Sequence, residues 1–406
     1  MYINGRKFLM LNISKMLFRS LGVVSLLLMA YSGYIKWMIK DLFIDPFILF
    51  SILLFVFMLI DGFRNIINKK SLFIASMLLL FFFWAFLSTT WGESQVYYLE
   101  KIQKSIVILF CFFIPFFILR TQERLKEFIY LFHLFTFLSA LIILLIYILY
   151  GDIFIILNGE GVTEETGLPD YLALGILMAS GFILALQKKG KVWFAYKTII
   201  IIAILLLSPR GPLIALVLIV FFYYLKSFKF KLKWHMPIYT FIIGIIIIYF
   251  GAGVSERLFL RFDGFFDSTS SSYSSVGTRL ELFSSAIEYF TDSPLFGIGY
   301  GSFGIKFNGI DDRIEPHNIL FEIASQTGII GISLFFIFSL SIYYYYILKK
   351  NRAGVIKGPL AYLTLYLIVQ SLSTTYLIDS KTLFLWLSIL ICYLSQPIKP
   401  NANKLI

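Results

Sequence analysis

Between Lys70 and Glu93 the chain carries no charged residue, only a run dominated by Leu, Phe, Ile, Ala and Trp. Comparable runs recur from one end of the sequence to the other. A helix needs roughly 20 apolar residues to cross the hydrocarbon core of a bilayer. The alternating period of membrane barrel strands is absent. These runs therefore constrain the fold class more than any other feature: an all-α polytopic membrane protein. With 59% hydrophobic and 14% charged residues, the chain lies well outside the composition of a soluble domain.

The predicted spans are 18–36, 43–60, 72–91, 102–119, 128–150, 170–187, 192–208, 212–225, 237–253, 328–348, 359–377 and 382–397, about twelve transmembrane helices. Arg6, Lys7, Lys15 and Arg19 precede the first and resemble the basic region of a signal peptide. No small-x-small cleavage site follows, so it reads as a retained helix. Residues 1–406 read as a single membrane domain without a six-plus-six repeat.

The formal net charge of +12 raises nucleic acid as a partner, but the distribution of charge excludes it. On the twelve-span topology, one side of the membrane holds most of the 35 Lys and Arg and only three of the 23 acids, Asp61, Glu123 and Glu127. That is the positive-inside pattern. It places both termini in the cytoplasm, and the basic excess faces anionic lipid. Cys111 and Cys392 fall inside apolar spans and suggest neither a disulfide nor a metal site.

Two loops are long, and both fall on the outer side. Loop 151–169 is acidic and glycine-punctuated. Loop 254–327, the large outer (periplasmic) loop between helices 9 and 10, is the longest polar interruption of the chain. Its Ser-rich stretch 268–275 reads as a flexible tip. From Arg279 to Phe290, apolar residues at Leu280, Phe283, Ile287 and Phe290 predict a short amphipathic helix, 279–290, on the membrane–water interface. The run Gly297-Ile298-Gly299-Tyr300-Gly301-Ser302-Phe303-Gly304 follows. It can offer N–H groups to a phosphate as an anion nest. It is not a dinucleotide fingerprint, since no strand precedes it, and a tight turn is the simpler reading.

Candidate chemistry gathers on this outer side. Arg210 sits in the hairpin Ser208-Pro209-Arg210-Gly211-Pro212 between two spans. A cation there needs the interface or an anionic partner, because at the bilayer centre it costs about 2.5–3.5 kcal/mol. Snorkelling to lipid phosphates is the plain alternative. Arg279 opens the amphipathic helix, where positive charge is mildly unfavourable unless an anion compensates it. His317 is one of three histidines and the one expected outside the membrane; its ordinary pKa near 6.5 suits a general base. Structural roles stay open for all three. Asp311-Asp312 lacks a supporting acidic cluster and reads as solvated loop, with no metal expected.

The block Gly277-Thr278-Arg279-Leu280, Ser293-Pro294-Leu295-Phe296-Gly297-Ile298-Gly299-Tyr300-Gly301, Pro316-His317-Asn318-Ile319 and Gly328-Ile329-Ile330-Gly331 resembles the bacterial O-antigen ligase/polymerase superfamily. The pair His317-Asn318 followed by Gly328-x-x-Gly331 fits its motif, and Ser208-Pro209-Arg210-Gly211 is similar to its second arginine site. The resemblance is specific over 205–335 and topological elsewhere.

That resemblance implies a membrane glycosyltransferase of GT-C type on the outer face of the cytoplasmic (inner) membrane, inverting and without metal or other cofactor. The donor is a glycan on undecaprenyl diphosphate. The acceptor is a sugar hydroxyl of a lipid-linked repeat unit or of lipid A core. His317 is implied as the base, Arg210 and Arg279 as diphosphate ligands, and Gly299, Tyr300 and Asn318 as further substrate contacts; Tyr273 and Tyr300 are sugar-stacking candidates. Polymerisation of O-antigen, capsule or exopolysaccharide units is the leading expectation, and ligation to lipid A core its rival. A twelve-helix transporter or flippase is the reading from a different class. It would place ionisable residues near the midplane, whereas here His133 is the main one within the spans.

Overall fold

The computed structural model describes residues 20–32, 45–61, 66–150, 171–207, 210–227, 271–349, 357–372 and 376–396. Among the described residues every regular element is helical: α1 (Ser20–Ala30), α2 (Pro46–Asp61), α3 (Lys69–Ser88), α4 (Tyr97–Ile118), α5 (Gln122–Tyr150), α6 (Tyr171–Ala185), α7 (Lys191–Leu207), α8 (Arg210–Ser227), α9 (Ser271–Asp292), α10 (Phe303–Asn308), α11 (Ile319–Leu348), α12 (Lys357–Ser371) and α13 (Lys381–Ser395). Among the described residues, four stretches are long and apolar enough to cross a membrane: Lys69–Trp91, Tyr97–Ile118, Gln122–Leu149 and Ile319–Leu348. The expected span 237–253, loop 151–169 and the hairpin residues Ser208 and Pro209 lie outside the described residues.

Helix α13 is the axis of the core. Its residues from Leu383 to Leu394 are all buried, as expected of a helix that is apolar all round. Trp386 packs edge-on against Phe132 of α5 with centroids 5.0 Å apart, and its indole N–H donates to the Tyr31 hydroxyl at 3.2 Å. The outer faces of α2, α3, α5 and α8 instead expose large apolar side chains such as Ile60, Phe83, Ile148 and Phe221. Water would not tolerate this array; lipid does.

Helices α3 and α11 run antiparallel. Asn68 donates to the Tyr345 hydroxyl at one end, Phe81 meets Phe335 midway, and Trp84 donates to the Thr327 carbonyl at the other. At that second end Trp84, Trp91 and Phe296 cluster with centroids 5.6–5.9 Å apart, where aromatic side chains mark a membrane interface.

Three expectations change. The tenth span was placed at 328–348, but helix begins nine residues earlier, at Ile319, and breaks at Gly328 (φ 64°, ψ −165°). The amphipathic helix is longer than 279–290: α9 is helical from Ser271, so 271–275 of the supposed flexible tip belong to it. Its buried side is also rotated from the anticipated stripe. Leu282 and Ala286 are buried while Leu280 and Ile287 are exposed. The cause is a second apolar surface below: Leu282 and Ala286 pack with Ile298 and Phe303, flanked by Tyr289, Phe307, Ile314 and Phe321. A single stripe count cannot tell which of two apolar edges faces protein.

Candidate active site

The break in α11 organises the site. A regular helix would give the Ile329 N–H to an upstream carbonyl of α11, but here it donates to the Pro294 carbonyl at 2.8 Å. The Ser325 and Gln326 carbonyls instead accept from Ile298 and Gly299 at 2.9 and 3.0 Å. The glycine run thus completes the hydrogen bonding of the broken helix. Gly328 suits the positive φ, and a Cβ there would stand 2.3 Å from the Leu295 carbonyl oxygen.

These contacts engage the backbone donors of Gly299 and Tyr300, both expected among the substrate contacts. The Gly299 N–H is used on Gln326, the Tyr300 N–H donates to Ser88 Oγ at 3.1 Å, and the Gly301 N–H donates to Gln326 Oε1 at 2.7 Å; no anion nest is left here. Tyr300 is 1% exposed, with its hydroxyl 2.7 Å from Ser105 Oγ. Buried in this way, Gly299 and Tyr300 form the floor of the site, and Tyr300 offers no face to a sugar. The side chain of Tyr273 lies outside the described residues.

Asn318 also has a structural task. Its side-chain oxygen caps α11, accepting from the N–H groups of Leu320 and Phe321 at 2.9 and 3.3 Å, as N-cap asparagines do. Its amide nitrogen donates to the Leu372 carbonyl at 2.7 Å, tying the start of α11 to the end of α12.

His317 lies just before this cap, half-buried. Its Nε2 is 3.1 Å from the Tyr376 hydroxyl, and the two rings lie 4.7 Å apart at 32°. Arg313 covers the Tyr376 ring at 5.4 Å and forms an ion pair with Asp379. The sequence reading missed Arg313, Tyr376 and Asp379. The one available signal was the polar island Ser371–Tyr376 inside the expected span 359–377.

Arg279 is carried on α9, which packs beside the start of α11. Phe283 of α9 packs on Phe321 of α11 at 5.1 Å, and further along Pro294 meets Ile329, so the two segments run side by side in one direction. Arg279 lies one helical turn before Phe283 on α9, and His317 lies four residues before Phe321, ahead of the cap of α11. Arg210 begins α8. Tyr223, near the far end of α8, packs on Tyr362, near the start of α12. The start of α8 therefore lies at the end of the bundle where Leu372 meets Asn318.

Below His317 is a buried charged cluster. Lys101 of α4, 0% exposed, pairs with Glu315 and with Glu322 Oε1 at 2.8 Å. It also donates to Gln326 Oε1 at 2.8 Å and sits over the Tyr300 ring at 4.5 Å. Glu322 Oε2 accepts from the Leu377 N–H at 2.7 Å. Burial pushes the Glu315 carboxyl up to about 7; Lys101 opposes this and the neighbouring Glu322 adds to it. His133, singled out by the sequence within the spans, is buried as well.

Asp311 is not merely solvated. Its carboxylate accepts from Ser94 Oγ at 2.6 Å and from the N–H groups of Gln95 and Val96 at 2.7 Å, which places it on the start of α4. Burial alone would raise this carboxyl; the Ser94 hydroxyl and the backbone donors outweigh it and hold the group below its ordinary value. Among the described residues no group of three His, Cys, Asp or Glu converges as metal ligands.

Residues 195–336 match the family described as O-antigen ligase. That segment contains Arg210, Arg279, His317 and the Gly328 break. This match supports a relationship to the O-antigen ligase/polymerase superfamily. An O-antigen polymerase from Salmonella muenchen is similar to it, 25% identical over 194 residues, covering 46% of this chain and 48% of that protein. The chain spans about half the length of this curated relative. The family match and the apolar helices together indicate a multi-pass membrane protein.

Proposed function

We propose that the chain transfers a glycan from undecaprenyl diphosphate to a sugar hydroxyl on the outer face of the cytoplasmic membrane, with both termini in the cytoplasm. The acceptor is the end of another lipid-linked repeat unit, so the product is a longer surface polysaccharide. The observation that carries this reading is the contact of His317 with Tyr376, beside the Phe283–Phe321 contact that packs the helix of Arg279 on α11.

In this scheme His317 takes the proton of the acceptor hydroxyl as its oxygen attacks the anomeric carbon. The bond from that carbon to the diphosphate oxygen breaks, and undecaprenyl diphosphate leaves with the electron pair. Attack opposite the leaving group inverts the anomeric centre. A positioned base contributes about 10²–10⁴-fold. Arg210 and Arg279 neutralise charge growing on the diphosphate, work that a metal performs in other transferases. Tyr376 on Nε2 holds the imidazole plane and favours one tautomer.

The test is purified protein with lipid-linked donor, offered lipid-linked repeat units in one arm and lipid A core in the other. Longer carrier-bound chains support the polymerase reading, which similarity to the Salmonella muenchen O-antigen polymerase favours. Glycan on the core would make the protein a ligase. Wild-type transfer by folded His317→Ala, Arg279→Ala and Arg210→Ala variants would refute the assignment of the three residues.

A further inference from the structure

The charged cluster below His317 has no part in the transfer chemistry outlined above, yet it touches both sides of the His317–Tyr376 contact. Lys101 is fully buried and bridges two carboxylates from different segments. Glu315 lies two residues before His317, in the segment that leads into α11. Glu322, in the first turn of α11, accepts from the N–H of Leu377, the residue after Tyr376. Gln326 closes the network: it accepts from Lys101, donates to Glu315 and accepts from the Gly301 N–H. The 309–318 segment, the 376–380 segment and the glycine run are therefore all fixed to one ammonium on α4.

We propose that Lys101 is a positioning residue for the transfer site, holding His317 through Glu315 and Tyr376 through Glu322. The inference rests on the function proposed above. A buried ion pair contributes little net stability but can fix the register of the parts it joins. Here the joined parts carry the candidate base and the hydroxyl that orients it. One ammonium joins both carboxyl groups, so the cluster tolerates no vacancy: without Lys101 Glu315 and Glu322 lose their shared partner, and the segments that bear His317 and Tyr376 are no longer tied to α4. A displacement near 1 Å at a reacting group costs about 100-fold in rate.

The test compares full-length wild type with Lys101→Met and with the triple variant K101M/E315Q/E322Q, which removes the buried charge imbalance if the single variant fails to fold. Two readouts are taken: kcat and donor KM for glycan transfer, and the rate at which diethyl pyrocarbonate acylates His317, followed peptide by peptide by mass spectrometry. His133, buried on α5, serves as the folding control and stays unreactive. The expected result for the folded triple variant is kcat lower by about 10–100-fold, an unchanged donor KM, and a several-fold change in His317 acylation. Lys101→Arg, which keeps the charge, restores part of both. A folded triple variant with wild-type kcat and wild-type His317 acylation overturns the proposal. If wild type transfers no glycan at all, the functional reading fails, and His317 acylation alone decides the role of Lys101.

Discussion

The Tyr376 hydroxyl lies 3.1 Å from His317 Nε2, although 59 residues separate the two in the chain. His317 precedes the cap of α11, and Tyr376 follows the end of α12. They meet because Asn318 donates to Leu372 and Glu322 holds the Leu377 N–H. The contact is thus built by backbone anchors on either side of each residue.

Tyr376→Phe removes the hydroxyl and keeps the ring between Arg313 and His317. One neutral hydrogen bond is worth about 0.5–1.5 kcal/mol. The expected result is a fall in kcat of up to about 10-fold, with unchanged thermal stability. A pH–rate profile checks it: the acidic limb, where His317 as base takes up a proton and activity falls, moves in the Phe variant.

Gly299→Ala is expected to abolish folded protein. Gly299 has φ +96°, and a Cβ would stand 2.4 Å from the Gly92 Cα, a backbone atom that cannot turn aside. Gly309→Ala is the control: φ is +78° but no atom lies within 4 Å, so the cost is left-handed strain of about 1 kcal/mol. Size-exclusion profiles and melting temperatures in detergent separate the two.

Asp311→Ala removes the acceptor from the start of α4 and is expected to cost about 1 kcal/mol, the usual value of a lost cap. The pH dependence has a definite sign. The folded carboxyl titrates below its ordinary value of 3.8, so its stabilisation is present at neutral pH and fades as pH falls through the folded value. Melting curves of wild type and variant should therefore converge in acid.

Glu315 behaves in the opposite way. Its carboxyl is raised from 4.5 to about 7 in the fold, so the native state holds a proton that the unfolded chain releases. This contribution is complete below pH 4.5 and is lost as pH rises through about 7. Glu315→Gln, neutral throughout, should flatten that part of the profile of melting temperature against pH. Lys101, Glu322 and Gln326 surround the site in both proteins.

The fold class was legible because apolar runs long enough to cross a bilayer have few other structures available to them. The His317-Asn318 and Gly328 motif was legible for a local reason: each acts within its own turn, as a cap or a break in α11. Lys101, Tyr376 and Asp379 left no such mark. Their roles depend on partners 55 or more residues away, and nothing in a lysine at the edge of an apolar span reveals that it will meet Glu315 and Glu322. The helix face turned inward by α9 was hidden for a related reason, since two apolar edges are equivalent until a neighbour covers one. The sequence by itself determined a helical membrane chain and the segment that bears its candidate chemistry, because bilayer thickness and local backbone rules act on contiguous residues. Only the tertiary structure decided which side chains surround His317 and which glycines merely complete a broken helix. Burial and long-range hydrogen bonds exist only once separate segments have been packed together.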